Sequence, residues 1–291
     1  MGEVSVKQGR LDHALTELTA AYAATEEYLR RNPDNSEAIF AHAQSEYWVG
    51  KVYLVRGKPK KALPSRLAYN ELSKRLYEMD PHNRDYVFEY GWAENNLGFL
   101  FKTLQNYNDA LNHYKTAIEI FENYAIKNTF DPETVFEIAS IRRNLASTEI
   151  KAGMTEAAKG NLFKVVESAS ELHTRYPENK EYLYTLTSAK LWIQEILIPE
   201  NECRTPEIKD VAENIKSLIH RDPTNEQWNR DYLQYIRIVS EFCHSHLERH
   251  WLDLEVRYAL TNSARIKDKN SETLKKISWL ETFQAKRLSD F

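Results

Sequence analysis

The same residues return every 48 positions. Alanine stands at 14, 62, 110 and 158, so each step is 48 (62 − 14, 110 − 62, 158 − 110). Glycine keeps the interval as Gly2, Gly50 and Gly98, and again as Gly9, Gly57 and Gly153, the last two lying two periods apart. A fixed period of this size marks a chain of stacked repeats, each burying its apolar face on the next. Chains of this kind make extended binding surfaces.

Two signals punctuate each unit. The first is a turn built on proline: Asn32-Pro33-Asp34-Asn35, Asp80-Pro81-His82-Asn83, Asp131-Pro132-Glu133-Thr134, Tyr176-Pro177-Glu178-Asn179 and Asp222-Pro223-Thr224-Asn225. Proline keeps the residue before it out of the helical region, and Asn or Thr then caps the helix that follows. The second is a glycine break at Gly57 and Gly153. Glycine adopts the left-handed conformation just past a helix end at little cost. Gln105-Asn106 holds the equivalent place in the third unit, with Asn106 the natural substitute. Between the signals the apolar residues recur at helical spacing, as in Ala110, Leu111, Tyr114, Ala117, Ile118 and Phe121. Helices are expected near 10–31, 36–56, 59–79, 84–104, 107–128, 134–152, 154–175, 179–198, 206–221, 226–245, 247–266 and 271–288. Gly50, Gly98 and Ala146 are expected where the first helix of a unit meets its partner closely, with Ala62, Ala110 and Ala158 the matching small residues. Gly91 and Gly160 are expected to serve helix packing.

Composition agrees and narrows the partners. Among 291 residues there are only 8 Gly and 9 Pro, as in a mostly helical chain. The net charge of −4 gives no bulk attraction to nucleic acid or an acidic membrane. No apolar run approaches the roughly 20 residues of a membrane span. The N-terminus lacks the basic and apolar regions of a signal peptide. Two cysteines, Cys203 and Cys243, give no disulfide framework and point to a reducing cytosol.

With these residues in view the chain resembles the tetratricopeptide repeat (TPR) family. The match is carried by Asn96-Leu97-Gly98, Phe101, Tyr107, Ala110, Tyr114 and Ala117. It is good over residues 36–175 and fades toward the C-terminus. The resemblance implies an all-α, right-handed α-solenoid of antiparallel helix pairs. Here each helix exceeds the family's length by about two turns, all at the end beside the inter-repeat turn. Residues 1–198 are expected to hold the repeats, and 199–291 a degenerate repeat with capping helices in the same solenoid. By the period, Met1 to Gln8 equals the last third of a first helix. The first unit is thus truncated, and the chain is expected to be a piece of a longer protein with Met1 added.

Recognisable chemistry is sparse. The eight glycines are isolated, so no phosphate loop or dinucleotide fingerprint exists, and no Gly-x-Ser-x-Gly elbow is present. Cys243, His246 and His250 are spaced three and four apart and would share one helical face, as zinc ligands can. The glutamate of His246-Leu247-Glu248-Arg249-His250 is misplaced for a zinc protease, and a fourth ligand is not evident, so no metal is expected. No cofactor and no enzymatic activity are expected. A recurring motif, Asn83-Arg84-Asp85-Tyr86, Asn179-Lys180-Glu181-Tyr182 and Asn229-Arg230-Asp231-Tyr232, reads as a helix start plus an aromatic packed on the neighbouring unit.

The family resemblance also implies a groove lined by the first helix of each unit. Carried over position by position, that face is Gln44, Tyr47, Lys51, Trp92, Asn95, Phe99, Lys102, Ser140, Arg143, Ser147 and Lys151. It mixes amides, aromatics and cations and contains no acid. The two-carboxylate clamp of the family's chaperone-binding members is missing, because Asn95 stands where its Lys would and Phe99 where its second Asn would. The expected function is a non-catalytic protein–protein interaction scaffold, the helical-repeat region of a larger bacterial regulatory or signalling protein. The rival reading is a sensor that binds a short acidic peptide in the groove. The partner is a protein or peptide, with no nucleic acid or membrane bound by this region, in the cytoplasm.

Overall fold

The residues of each turn close one helix and start the next. The computed structural model describes residues 11–127, 131–198, 203–267 and 269–289. In it Asn35, Asn83, Asn179 and Asn225 have extended backbone, and their side chains accept hydrogen bonds from amides two or three residues on. Asp131 does the same with Pro132 as the first helical residue. This corrects the third turn: Thr134 is not the cap, and its hydroxyl donates to Asp131. Proline fits the first helical position, where the missing N–H has no helical partner in any case.

The helix ends repeat as regularly. Gly57 (φ 67°), Gln105 (φ 63°) and Gly153 (φ 77°) take the left-handed conformation. The following amide reaches back over each: Lys58 to the Tyr53 carbonyl at 2.8 Å, Asn106 to Phe101 at 2.9 Å, and Met154 to Glu149 at 2.8 Å. These bonds satisfy carbonyls left open by the helix end. The left-handed residue of the third unit is therefore Gln105 and not Asn106.

Twelve α-helices result among the described residues: α1 (Leu11–Arg31), α2 (Ser36–Val55), α3 (Pro59–Met79), α4 (Arg84–Thr103), α5 (Tyr107–Lys127), α6 (Pro132–Lys151), α7 (Thr155–Arg175), α8 (Lys180–Leu197), α9 (Thr205–Arg221), α10 (Glu226–Phe242), α11 (Arg249–Ser263) and α12 (Ser271–Ser289). No strand occurs among them. The starts of α1, α3, α5 and α7 fall at 11, 59, 107 and 155, and those of α2, α4, α6 and α8 at 36, 84, 132 and 180, each 48 apart. The truncated first unit expected over Met1 to Gln8, with Gly2 and Gly9, lies outside the described residues.

The chain forms two compact units, residues 1–161 and 162–291, with the boundary inside α7. In the first unit each helix packs on the next from α1 to α6, and α4 also touches α6. Short turns make successive helices antiparallel. Ala62, Ala110 and Ala158 are fully buried, as expected of small residues at helix crossings. The side chains that come closest to Gly50 and Gly98 are larger ones from the same helices. A Cβ on Gly98 would come within 2.7 Å of the Tyr114 ring, and one on Gly50 within 3.1 Å of Arg66 Nε. Gly91 likewise lies against the Phe121 ring, while Gly160 has open space and serves no packing.

In the second unit α10 packs against α8, α9, α11 and α12 around Ile215, Tyr232, Tyr235, Ile236, Leu252 and Leu280. Three expectations are corrected here. First, Cys203 and Cys243 form a disulfide, with Cα atoms 5.6 Å apart, tying the start of α9 to the end of α10. Second, α10 stops at Phe242, residues His244–His246 form a short 3₁₀ turn and α11 begins at Arg249. Cys243, His246 and His250 therefore do not share a helical face, and the Cys243 sulfur is not available to a metal. Third, Asn229 lies inside α10 and bonds the Asn225 carbonyl at 2.8 Å, so the third copy of the Asn-aromatic motif is not a helix start. No helix of the described residues is long and apolar enough to cross a membrane.

Candidate functional site

The first helices of the first unit, α2, α4 and α6, are pinned side by side by hydrogen bonds at equivalent positions. Gln44 Nε2 donates to Glu89 Oε2 at 2.9 Å. One period later Trp92 donates to Glu137; both pairs are 45 residues apart. Asn144 donates to Asn95 at 3.2 Å, and Arg84 pairs with Glu133 while lying 4.1 Å over the Phe88 ring.

Two hollows of about 400 Å3 each open along this face. One is lined by Ser36, Glu37, Phe40, Arg84, Asp85, Tyr86, Phe88, Glu89 and Trp92. The other is lined by Gln44, Tyr47, Tyr69, Glu89, Trp92, Asn95 and Asn96. Glu89 and Trp92 belong to both. Of the residues expected on the face, Gln44, Tyr47, Trp92 and Asn95 are thus brought together. Tyr47 is held from behind by the Tyr69 ring at 5.4 Å and by the Arg66 guanidinium at 4.6 Å.

Farther along, Lys102, Arg143 and Lys151 form a second group. Lys102 is pushed down to about 8, first by burial and then by the charges of Lys151 and Arg143. Its Nζ stands 5.7 Å from the ring of Phe99, which is 46 % exposed. Lys51 and Ser147 are half-buried outside the lining of either hollow, as is Ser140.

The face does contain acid, contrary to the sequence expectation. Glu89 lines both hollows, and its carboxyl is pushed above the usual range by burial, against the Tyr69 and Gln44 hydrogen bonds that favour its charged form. Glu137 is raised by burial in the same way. Both lie in the first two turns of their helices, the part that exceeds the family's length. A carry-over of family positions could not reach them. The local signal was there all the same: Glu89 and Glu137 each stand three residues before a face position, Trp92 and Ser140, and so on the same side of the helix.

The second unit has its own apolar hollow of about 400 Å3 among α7, α8 and α9, walled by Phe163, Val166, Ile193, Leu197 and Val211. Its rim carries the Lys190–Asp210 pair at 2.7 Å. None of its residues was singled out in the sequence.

No family model matches this chain, and no curated protein does. Its fold does match solved structures. Against the S. pombe nuclear import adaptor Nro1 the TM-score is 0.59 at 14% identity, over 87% of this chain and 88% of that one. A second Nro1 structure, described as a hypoxic regulator of sterol synthesis and a nuclear import adaptor, gives 0.59 at 13% identity, over 94% and 88%. At such identities the likeness is one of fold. The chain is an all-helical protein with a TPR-like repeat fold.

Proposed function

We propose that this chain is a non-catalytic interaction scaffold whose α2–α4–α6 face binds a peptide segment of a partner protein. The observation that carries the reading is the continuity of the face. Two hollows with aromatic walls share Glu89 and Trp92, and three mutually interacting cations follow farther along α4 and α6, helices one period apart. Trp92, Tyr47 and Phe99 offer apolar anchors, where truncation often costs about 2 kcal/mol or more. Lys102, Arg143 and Lys151, with Lys51 nearby in the repeat pattern, favour a segment carrying acidic groups. Asn95 and Ser147 supply backbone hydrogen bonding. Nro1, a nuclear import adaptor, puts the same fold to such a use.

In this reading the chain is an extended, 48-residue variant of the TPR family. Residues 1–198 hold the repeats and 199–291 a degenerate repeat with capping helices. It serves as the helical-repeat region of a larger bacterial regulatory or signalling protein. A sensor that takes up a short acidic peptide is the same site put to a regulatory use. The sequence points to the cytoplasm, and the Cys203–Cys243 bond favours an oxidising compartment instead.

Capture of acidic peptides on an array tests the site. Asn95→Ala combined with Arg143→Glu is expected to lose at least tenfold in affinity, and wild-type binding to weaken with salt. Unchanged capture of every peptide by the double variant removes the face from the reading.

A further inference from the structure

The hollow between α2 and α4 holds a charge that the protein itself leaves half used. Glu89 is only 8 % exposed. Its Oε2 takes both available hydrogen bonds, from Tyr69 at 2.8 Å and from Gln44 at 2.9 Å. Among the described residues no donor reaches Oε1. Unlike the enclosed Arg66 nitrogens, Oε1 is not sealed from solvent, so a cationic donor entering the hollow can pair with it. The walls suit such a guest: Tyr47, Tyr69 and Trp92 are aromatic, and rings of this kind attract cations.

Two arginines stand near and neither answers Glu89. Arg84 lines the neighbouring hollow and is taken by Asp131 and Glu133. Arg66 is 1 % exposed behind Tyr47, with Nε and Nη1 enclosed and without a hydrogen-bond partner. It is not part of the lining. The charge a ligand can reach in this hollow is the carboxylate of Glu89.

We propose that this hollow takes a Lys or Arg side chain of the bound peptide, so that the face reads a basic residue at one end and an acidic one at the other. The inference rests on the peptide-binding reading above and fixes the direction of its ligand. Glu89 and Lys102 are 13 residues apart on α4 (102 − 89), which is roughly 20 Å along a helix. The same 13 residues leave the two side chains about 140° apart around the helix, so an extended peptide needs about six residues or more to join them. The partner segment carries Lys or Arg separated by about six or more positions from Asp or Glu.

The test is selection of a phage-displayed random dodecapeptide library on the immobilised full chain. Wild type, Glu89→Gln, Lys102→Glu and Trp92→Ala are compared, with circular dichroism checking that each variant is folded. Wild type is expected to enrich a basic and an acidic position about six or more apart. Glu89→Gln is expected to keep the acidic preference and lose the basic one. Synthetic peptides made from the winning sequences should bind Glu89→Gln about tenfold more weakly, about 1.4 kcal/mol. Lys102→Glu should show the opposite loss. Wild-type winners with an acidic but no basic position overturn this proposal and leave the acidic-peptide reading standing, and that result needs no variant. Winners that bind Trp92→Ala as well as wild type, or no winners at all, overturn both.

Discussion

Arg66 is a residue in another residue's place. Its repeat equivalent is Tyr114 (114 − 66 = 48), an aromatic buried completely against Gly98, as Arg66 is buried against Gly50. The slot takes an apolar side chain, Leu18 and Leu162 being the buried equivalents one period further on either side, and the guanidinium instead lies over Tyr47 with two nitrogens unbonded. Burial pulls its pKa below the usual value, the mark of a charge taken out of water without a carboxylate beside it. Replacing a buried charge with an apolar group of similar size is often neutral or stabilising. Arg66→Tyr is accordingly expected to raise stability by about 1–2 kcal/mol, read from urea unfolding. A loss of that size instead would mean that the cation–ring contact outweighs desolvation. Nothing in the sequence marked Arg66 until the period aligned it with Tyr114. Gln105 is the opposite case. The period had marked its position, but chemistry favoured Asn106, and the chain holds Gln105 in the left-handed conformation all the same.

Helices were the most legible level. The turn residues and breaks that bound them act locally, so their spacing could be read without tertiary contacts. Boundaries slipped where two caps competed, as at Asp131 and Thr134, or where a helix stopped without glycine or proline, as at Phe242. The face of α4 was legible only in part, because Glu89 is given its role by Tyr69 and Gln44 on other helices. The last turn of the same helix carries Lys102, whose pKa, pushed down to about 8, sets a pH dependence. Lys102 attracts an acidic peptide only when protonated. Affinity for an acidic peptide should therefore hold below about pH 8 and fall as pH rises through that value, well before an ordinary lysine would titrate. Titration calorimetry across that range checks it, and a flat profile to pH 10 would show that Lys102 takes no part.

For the whole molecule, repetition was legible and cross-linking was not. Two cysteines 40 residues apart carry no sequence signal of pairing, and only the packing of α9 on α10 brings them together. Closing a loop of that length is worth roughly 2–4 kcal/mol. Protein purified without reductant is expected to show no reactive thiols, and reduction should lower its melting temperature. Two titratable thiols in the native protein would restore the cytosolic reading. The regular caps also govern how such a chain can change over generations. Asn35, Asn83, Asp131 and Asn179 recur at intervals of 48. One residue inserted before a cap only lengthens a surface turn. The same residue inserted between Asn83 and Glu89 rotates everything after it by about 100°, carrying Glu89, Trp92 and Lys102 off the face together. Lineages of this protein should therefore vary freely in spelling and hardly at all in the length of their helices.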